Sequence, residues 1–356
     1  MSDLLTWCLG VFLVFVANAG FPFSYTCTRL AYLVNDQLPL QQRQPPWRRP
    51  LWWLGIVVGC VGGLLNGIGT AIAGLAVAAI GSSTKLLWNA VYGRHLLGES
   101  FDMSKDTVGG GCILLGVFLQ LLILGKVNSD NDDWDSGEVV DAFGEWYAVL
   151  WYTSCGAVYI GLLAILVVAP VYLSEESHLK GWLVAHRQYV WPFAQGIASF
   201  LTSLLSNACY RVMMDKYFSS LGYGPFWLFL LSGASLALSD LFCSTTSLSH
   251  NHVLLHAPIQ MVTYYVGEML NGGIVFHEFS DFHVTEYVVF IAAACMMATG
   301  VVFILQRKST TVHDGILTKY YNVVLDNDNN GQPLVDVPSE QSSAYSTFPT
   351  PLKGNP

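Results

Sequence analysis

The chain has 356 residues, of which 53% are hydrophobic and only 12% are charged. Soluble globular domains carry about 25% charged residues, so this composition excludes an ordinary soluble fold and predicts a membrane protein. The net charge of −9, in a sequence without a basic patch, also excludes a nucleic-acid-binding surface.

Nine apolar runs of about 20 residues are long enough to cross a bilayer as helices. They lie near residues 4–25, 51–71, 75–97, 107–127, 146–172, 190–213, 225–247, 253–277 and 285–306. A Gly/Ala-rich turn between Gly69 and Ala76 is expected to separate the second run from the third. The sequence therefore predicts an all-α polytopic membrane protein with about nine transmembrane helices in residues 1–309. Residues 310–356 are polar and without apolar periodicity, so we expect a disordered tail.

Loop charges predict the orientation of these helices. Basic residues follow the first, third, fifth and ninth runs, at Arg29, Arg43, Arg48, Arg49, Lys105, Lys180, Arg187, Arg307 and Lys308. With nine crossings all of them lie on one side, which the positive-inside rule makes cytosolic, together with the C-terminus. The opposite side then carries residues 129–145, SDNDDWDSGEVVDAFGE, with seven acids and no base.

The two halves of the chain resemble each other in order and spacing. CTRLAYL at the end of the first run matches ACYRVMM at the end of the sixth. NAVYGRHLLGESFD matches EMLNGGIVFHEFSD, which aligns Asn89 with Glu268 and Glu99 with Glu278. Such internal similarity is typical of membrane transporters built from repeats.

The match predicts two four-helix units in residues 1–127 and 190–307, with one linking helix in residues 146–172. Five crossings precede the second unit, so it is expected to be inverted relative to the first. Inverted repeats usually form the substrate site near the midplane, where the two units meet.

Polar residues recur at three- and four-residue spacing along several predicted helices, which places them on one face. Most are hydroxyls and small residues, whose common role is helix packing. Charged residues inside a span are expensive and mark functional sites by default. The candidate substrate-binding residues are Asn66, Lys85, Asn89, Asp240, Tyr264, Glu268 and Asn271.

Three of these candidates are formal charges inside predicted spans: Lys85, Asp240 and Glu268. Asp240 and Glu268 are the candidate metal ligands. The alternative is a structural ion pair that fixes the third helix against the seventh or eighth. Glu99 and Glu278 end their helices, where interfacial solvation is the simpler expectation and gating the alternative.

A family resemblance rests on these same segments. WWLGIVVGCVGGLLNGIGTAIAGLAV, the helix end LLGE, the helix start GGGCILLG, and HAPIQMVTYY running to VFHEFSD resemble the NIPA branch of the drug/metabolite transporter superfamily. The resemblance covers most of residues 4–306 and implies a nine-helix magnesium transporter. Gly63 stands where the family typically has a glutamate in its second helix. The third helix lacks the family's usual proline and adds Lys85.

The oxygen-bearing candidates suit magnesium or a similar divalent cation, transported by alternating access. Two alternatives stay open. One is a small organic metabolite or amine in a cavity lined by Tyr264, Tyr265, Trp88 and Tyr92. The other is a membrane scaffold whose charges are only structural. No nucleophile–base pair or phosphate-binding loop occurs, so we expect neither an enzyme nor a cofactor, and the bilayer and the transported solute are the expected partners.

Overall fold

The structure is a computed structural model, and it describes residues 2–36, 38, 42–97, 103–127, 135–168, 178–250, 253–280 and 282–305. The described residues are 93% helical and contain no β-strand, which confirms the predicted all-α class. The predicted tail in residues 310–356 and the candidate gating residue Glu99 lie outside the described ranges.

The helices follow one another with short connections. In chain order they are α1 (Ser2–Asp36), α2 (Pro50–Ala73), α3 (Leu75–Ser83), α4 (Lys85–Tyr92), α5 (Met103–Val127), α6 (Ser136–Gly144), α7 (Trp146–Leu163), α8 (His178–Lys216), α9 (Gly224–His250), α10 (Val253–Ile274) and α11 (Val284–Leu305). One turn of π-helix extends α4 over Gly93–Leu97, and another extends α7 over Ala164–Val168.

Within the described residues, six helices are long and apolar enough to cross a membrane: α1, α2, α5, α7, α9 and α11. Between 11% and 39% of the residues in their most apolar windows are buried inside the protein, so most of their surface faces outward. The three other predicted runs also fall on helices, namely α3 with α4, α8 and α10.

These other helices carry most of the polar stripes and lie in the interior. All nine residues of α3 are buried. The segments of α8 and α10 that carry the stripes are mostly buried too, including Gln195, Asn207, Gln260 and Glu268. A helix surrounded by other helices does not face lipid, so it tolerates polar side chains that would be costly on an outer helix.

Close helix pairs organise the molecule. Helix α1 packs along α2, α8 along α9, and α5 along α11, while α10 contacts both α3 and α8. Glycines allow these close approaches, as where the Ser24 hydroxyl on α1 donates a hydrogen bond of 2.6 Å to the Gly55 carbonyl on α2.

The loops gather on two opposite ends of the bundle. On one end, which we call the acidic face, the Ser136 N–H on α6 donates to Asp215 at the end of α8. The Phe143 ring lies 4.9 Å from the Phe229 ring and 6.1 Å from the Phe276 ring, so the starts and ends of several helices meet there.

The other end, which we call the basic face, collects the arginines of α1 and of the following loop. The Arg29 guanidinium donates a hydrogen bond of 2.9 Å to the Leu248 carbonyl in the last turn of α9. The Arg49 guanidinium donates a bond of 2.7 Å to the Asn35 side chain near the end of α1. Cations suit a helix C-terminus because its carbonyls carry partial negative charge.

Candidate functional site

Lys85 lies in the interior at the first residue of α4. Its side chain is only 5% exposed, and its Nζ lies 4.6 Å from the centre of the Phe21 ring and 4.3 Å from that of Tyr264. A desolvated cation over an aromatic ring gains about 2 kcal/mol. Lys85 forms no ion pair with an acid of the described residues, so the structural ion pair that the sequence left open is not formed.

Glu268 lies one helical turn beyond Tyr264 on α10. Its side chain is 0% exposed, and neither carboxylate oxygen accepts a hydrogen bond. The Ser203 hydroxyl on α8 and the Lys85 ammonium are the polar groups that interact favourably with its charged form. An unpaired charge buried in this way costs several kcal/mol. The position therefore requires a cation or a proton as its partner.

Asp240 on α9 is the second acid of the interior, and it is half-buried. The Ser199 hydroxyl on α8 donates a bond of 2.7 Å to its Oδ1, and Gln260 donates a bond of 3.3 Å to Ser199. Both acids interact electrostatically with Lys85. Because Ser199 and Ser203 are four residues apart on α8, the two acids lie near successive turns of one helix, roughly 6 Å apart along its axis.

Buried amide side chains lie on α2, α4 and α8. Asn66 on α2 donates a bond of 3.3 Å to the Tyr264 hydroxyl, which in turn donates to Ser203. The side-chain oxygens of Asn66, Asn89 and Gln195 are buried and accept no hydrogen bond. Native interiors leave few such oxygens unpaired, and amide oxygens are ligands that hard cations accept.

Asn271 has a different environment from the other candidates. Its Oδ1 accepts a bond of 2.9 Å from the Trp151 indole on α7, and its Nδ2 donates a bond of 3.1 Å to the Phe200 carbonyl on α8. Both ends of the amide are therefore used to hold α10 against its neighbours. The hydrogen bonds of Asn271 therefore go to α7 and α8 and not to Lys85 or Glu268.

A polar cluster toward the basic face was not among the sequence candidates. His256 on α10 is fully buried, its Nδ1 lies 2.8 Å from the Ser247 hydroxyl, and its ring stands edge-on to Tyr25. Gln195 donates a bond of 3.3 Å to the Tyr25 hydroxyl. His256 precedes Gln260, Tyr264 and Glu268 at four-residue intervals, and that spacing is the signal that would have included it.

Glu278 follows α10 and lies at the acidic face. Its two oxygens accept bonds of 2.6 and 2.7 Å from the N–H groups of Leu75 and Ala76, so it caps the first turn of α3. Burial raises the pKa of its carboxyl, and the two N–H donors act in the opposite direction. The expectation of simple interfacial solvation is therefore wrong for Glu278.

The aromatic side chains proposed to line a cavity do not share one environment. Tyr264 lies against Lys85, whereas the Tyr265 side chain pairs with Gln120 on α5. Trp88 is 39% exposed and stacks on Tyr92. Among the described rings, Phe21 joins Tyr264 over the ammonium, and the sequence did not indicate it.

Gly63, where the sequence analysis noted a missing acid, lies on an exposed part of α2. A side chain there would meet no atom within 4 Å, whereas one at Gly62 would approach Phe21 on α1. An acid at position 63 would therefore point away from Lys85 and Glu268. In this chain, that position is not part of the site.

No group of three or more His, Cys, Asp and Glu side chains that could hold a metal ion occurs within the described ranges. A surface groove of about 310 Å³ lies between α5 and α11 and contains none of the candidate residues; it is lined by Leu122, Ile123, Thr285, Glu286 and Val289. The interior cluster around Glu268 is therefore the better candidate site.

Comparisons with protein-family models, with curated proteins and with solved structures found no match. The function is therefore inferred from the residues of the site itself.

Proposed function

We propose that this protein is a membrane transporter that moves magnesium or a similar divalent cation by alternating access. The observation that carries this proposal is the buried Glu268 carboxylate, which has two unpaired oxygens in the middle of an interior helix. A buried carboxylate without a hydrogen-bond donor needs a cation or a proton as its partner, and a transported cation supplies that partner during part of the cycle.

The other interior oxygens agree with a hard cation. Asn66 and Asn89 place unpaired amide oxygens on α2 and α4, and Asp240 adds a second carboxylate on α9. Magnesium usually keeps several of its waters and needs only one or two carboxylates. An arrangement with few acids and several amide oxygens is therefore compatible with this ion.

Nine crossings and an inverted repeat are part of the proposal. The helix contacts support it, because the pairing of α1 with α2 has its counterpart in α8 with α9. In the same way, the contact of α2 with α8 corresponds to that of α9 with α1. Two related units around a shared interior site are the arrangement in which alternating access operates by rocking one unit against the other.

The resemblance to the NIPA branch supports magnesium as the cargo. Its typical acid has no counterpart at Gly63, and Glu268 and Asp240 take over the ligand role in this proposal. They lie on α10 and α9, so the second repeat supplies both carboxylates.

The second candidate cargo is a small organic amine. The observation that favours it is the Lys85 ammonium, which lies over the rings of Phe21 and Tyr264. A site that holds one ammonium between aromatic rings has the chemistry to hold another.

Magnesium flux into liposomes tests the proposal. Purified protein is reconstituted into liposomes that contain a magnesium-sensitive dye, and wild type is compared with Glu268→Gln and Asp240→Asn. We expect Glu268→Gln to lower the initial rate at least tenfold, because it removes the charge that binds the ion. Asp240→Asn is expected to lower the rate less, since Ser199 already occupies one of its oxygens.

Glu286→Gln is the matched control, because its carboxylate lies at the start of α11 in the peripheral groove. It should transport at the wild-type rate. Magnesium uptake that is unaffected by both interior substitutions would refute the cation site. Uptake of methylammonium, without uptake of magnesium, would favour the organic amine.

A further inference from the structure

The position of Lys85 raises an electrostatic question that the proposed function alone does not answer. A carrier that releases its cation must return with Glu268 buried and unpaired. Leaving one member of a buried charge pair without its partner is strongly unfavourable, and it slows a return step by roughly two to four orders of magnitude. An unloaded carrier therefore needs another way to neutralise this carboxylate.

Lys85 is within reach of Glu268. The ammonium lies 4.3 Å from the centre of the Tyr264 ring, and Tyr264 and Glu268 are four residues apart on one face of α10. Side chains at this spacing are neighbours, with Cβ atoms about 6 Å apart. The flexible four-carbon stem of lysine lets a change of rotamer move the ammonium from the Tyr264 ring toward Glu268.

The helix is interrupted next to Lys85. Helix α3 ends at Ser83, Thr84 forms a turn, and α4 begins at Lys85. The Thr84 hydroxyl donates a bond of 2.7 Å to the Gly81 carbonyl, which stabilises the turn. The lysine therefore starts a new helix at a local break, where its direction is not fixed by a continuous helix.

We propose that Lys85 is the tethered counter-cation of the unloaded transporter. In the position described here its ammonium lies on the Phe21 and Tyr264 rings, and the Glu268 oxygens accept no hydrogen bond. In its second position the ammonium pairs with Glu268, takes the place of the cargo charge, and lets the unloaded carrier return. This inference rests on the proposed cation transport, and it assigns a separate step to a residue that does not bind the cargo.

The consequence is a difference between net transport and exchange. Net uptake includes the return of the unloaded carrier, so it requires Lys85. Exchange of ions between the two sides uses only loaded carriers, so it does not. Lys85→Met keeps the length and apolar stem of the side chain and removes the charge, whereas Lys85→Arg keeps the charge.

The experiment measures both modes in the same liposomes. Net uptake is followed with a magnesium-sensitive dye in liposomes without internal magnesium. Exchange is followed with isotopically labelled magnesium at equal concentrations on both sides. We expect Lys85→Met to lower net uptake at least tenfold and to change exchange less than threefold. Lys85→Arg is expected to recover at least a third of the wild-type net uptake.

Equal loss of both modes in folded Lys85→Met protein, or full net uptake by it, would overturn this role of Lys85 and leave the proposed function intact. Wild-type protein that shows neither uptake nor exchange would refute the proposed function itself. Phe21→Leu is the second test if Lys85→Met does not fold. It weakens the ring-bound position, so the lysine competes more with the cargo and the KM for magnesium should rise at least threefold; an unchanged KM would overturn the proposal.

Discussion

Single glycines set the distance between the two interior helices that carry the site. A Cβ at Gly267 on α10 would overlap the Phe200 ring on α8, and one at Gly196 on α8 would clash with Thr263 on α10. The two helix backbones therefore approach each other closely, and the side chains of Ser199 and Ser203 reach α10 as a result.

We predict that Gly267→Ala destabilises the protein, because the added methyl group forces the rigid Phe200 ring or the whole helix to move. Overpacking of this kind costs about 1–3 kcal/mol. The measurement is the thermal unfolding midpoint of the purified protein in detergent, which should fall by several degrees.

Gly63→Ala is the matched control, since it lies in helix α2 and a Cβ there would meet no atom within 4 Å. Alanine is the better helix former, by roughly 0.5–1 kcal/mol, so this variant should be as stable as wild type or slightly more stable. Equal destabilisation of the two variants would contradict the close packing of α8 on α10.

At the level of residues, the sequence predicted the site only where spacing carries information. Tyr264 and Glu268 lie four residues apart on one helix, and the structure places them side by side as the period of the helix requires. Asn271 has a similar spacing, but its side chain bonds to Trp151 on α7. The sequence pattern does not specify which neighbouring helix a residue meets, so this contact could not be predicted. The contact of Phe21 with Lys85 was not predicted either, because it too depends on which helices are neighbours.

At the acidic face, one carboxylate connects the end of α10 to the start of α3. Glu278 follows α10 and caps α3, and two glycines make room for it. Gly74 has a φ of 95°, in the left-handed region that favours glycine, and a Cβ at Gly272 would lie 2.6 Å from the Glu278 carboxylate. The carboxylate therefore faces the positive end of the α3 dipole.

We predict that Glu278→Ala destabilises the protein, because it leaves the N–H groups of Leu75 and Ala76 without a partner. Loss of an N-terminal cap costs about 0.5–2 kcal/mol, and partial burial places this one at the upper end. The unfolding midpoint in detergent measures the effect.

The control is Glu138→Ala, which removes one half of the exposed capping box that Asp135 and Glu138 form at the start of α6. Water replaces the lost bond there, so the shift should be at most half of that for Glu278→Ala. A larger shift for Glu138→Ala would show that Glu278 is not an important cap.

At the level of elements, the apolar runs predicted the helices well because length and hydropathy are local properties. The more polar helices α8 and α10 were also among the predicted helices, because their polar residues recur with the period of a helix. The break at Thr84 was not predicted, since residues 75–97 form one apolar run and the turn depends on a hydroxyl bond to the Gly81 carbonyl. The cap by Glu278 joins residues about 200 positions apart, which no local pattern indicates.

The distribution of charge over the whole molecule agrees with the two ends of the bundle. The basic face carries Arg29 and Arg49, and the acidic face carries α6 with Asp135 and Glu138. Because α1 ends at the basic face and α3 begins at the acidic face, the single helix α2 between them traverses the bundle. The loop charges therefore predict which end faces the cytosol.

Labelling of single cysteines with a membrane-impermeant maleimide tests this orientation in sealed cells, after the exposed native residues Cys8, Cys60 and Cys295 have been replaced by serine. The substitutions are Gly144→Cys and Gly222→Cys at the acidic face and Gln44→Cys near the basic face. A side chain at Gly144 or Gly222 would enter open space, and Gln44 is exposed. We expect Gly144→Cys and Gly222→Cys to react from the non-cytosolic side and Gln44→Cys to react only after permeabilisation. Reaction of all three from one side would contradict the two opposite faces, and the reverse pattern would invert the orientation. The reverse pattern would also place Glu268 on the cytosolic side of Lys85 and Asp240, because Glu268 lies nearer the acidic face than they do.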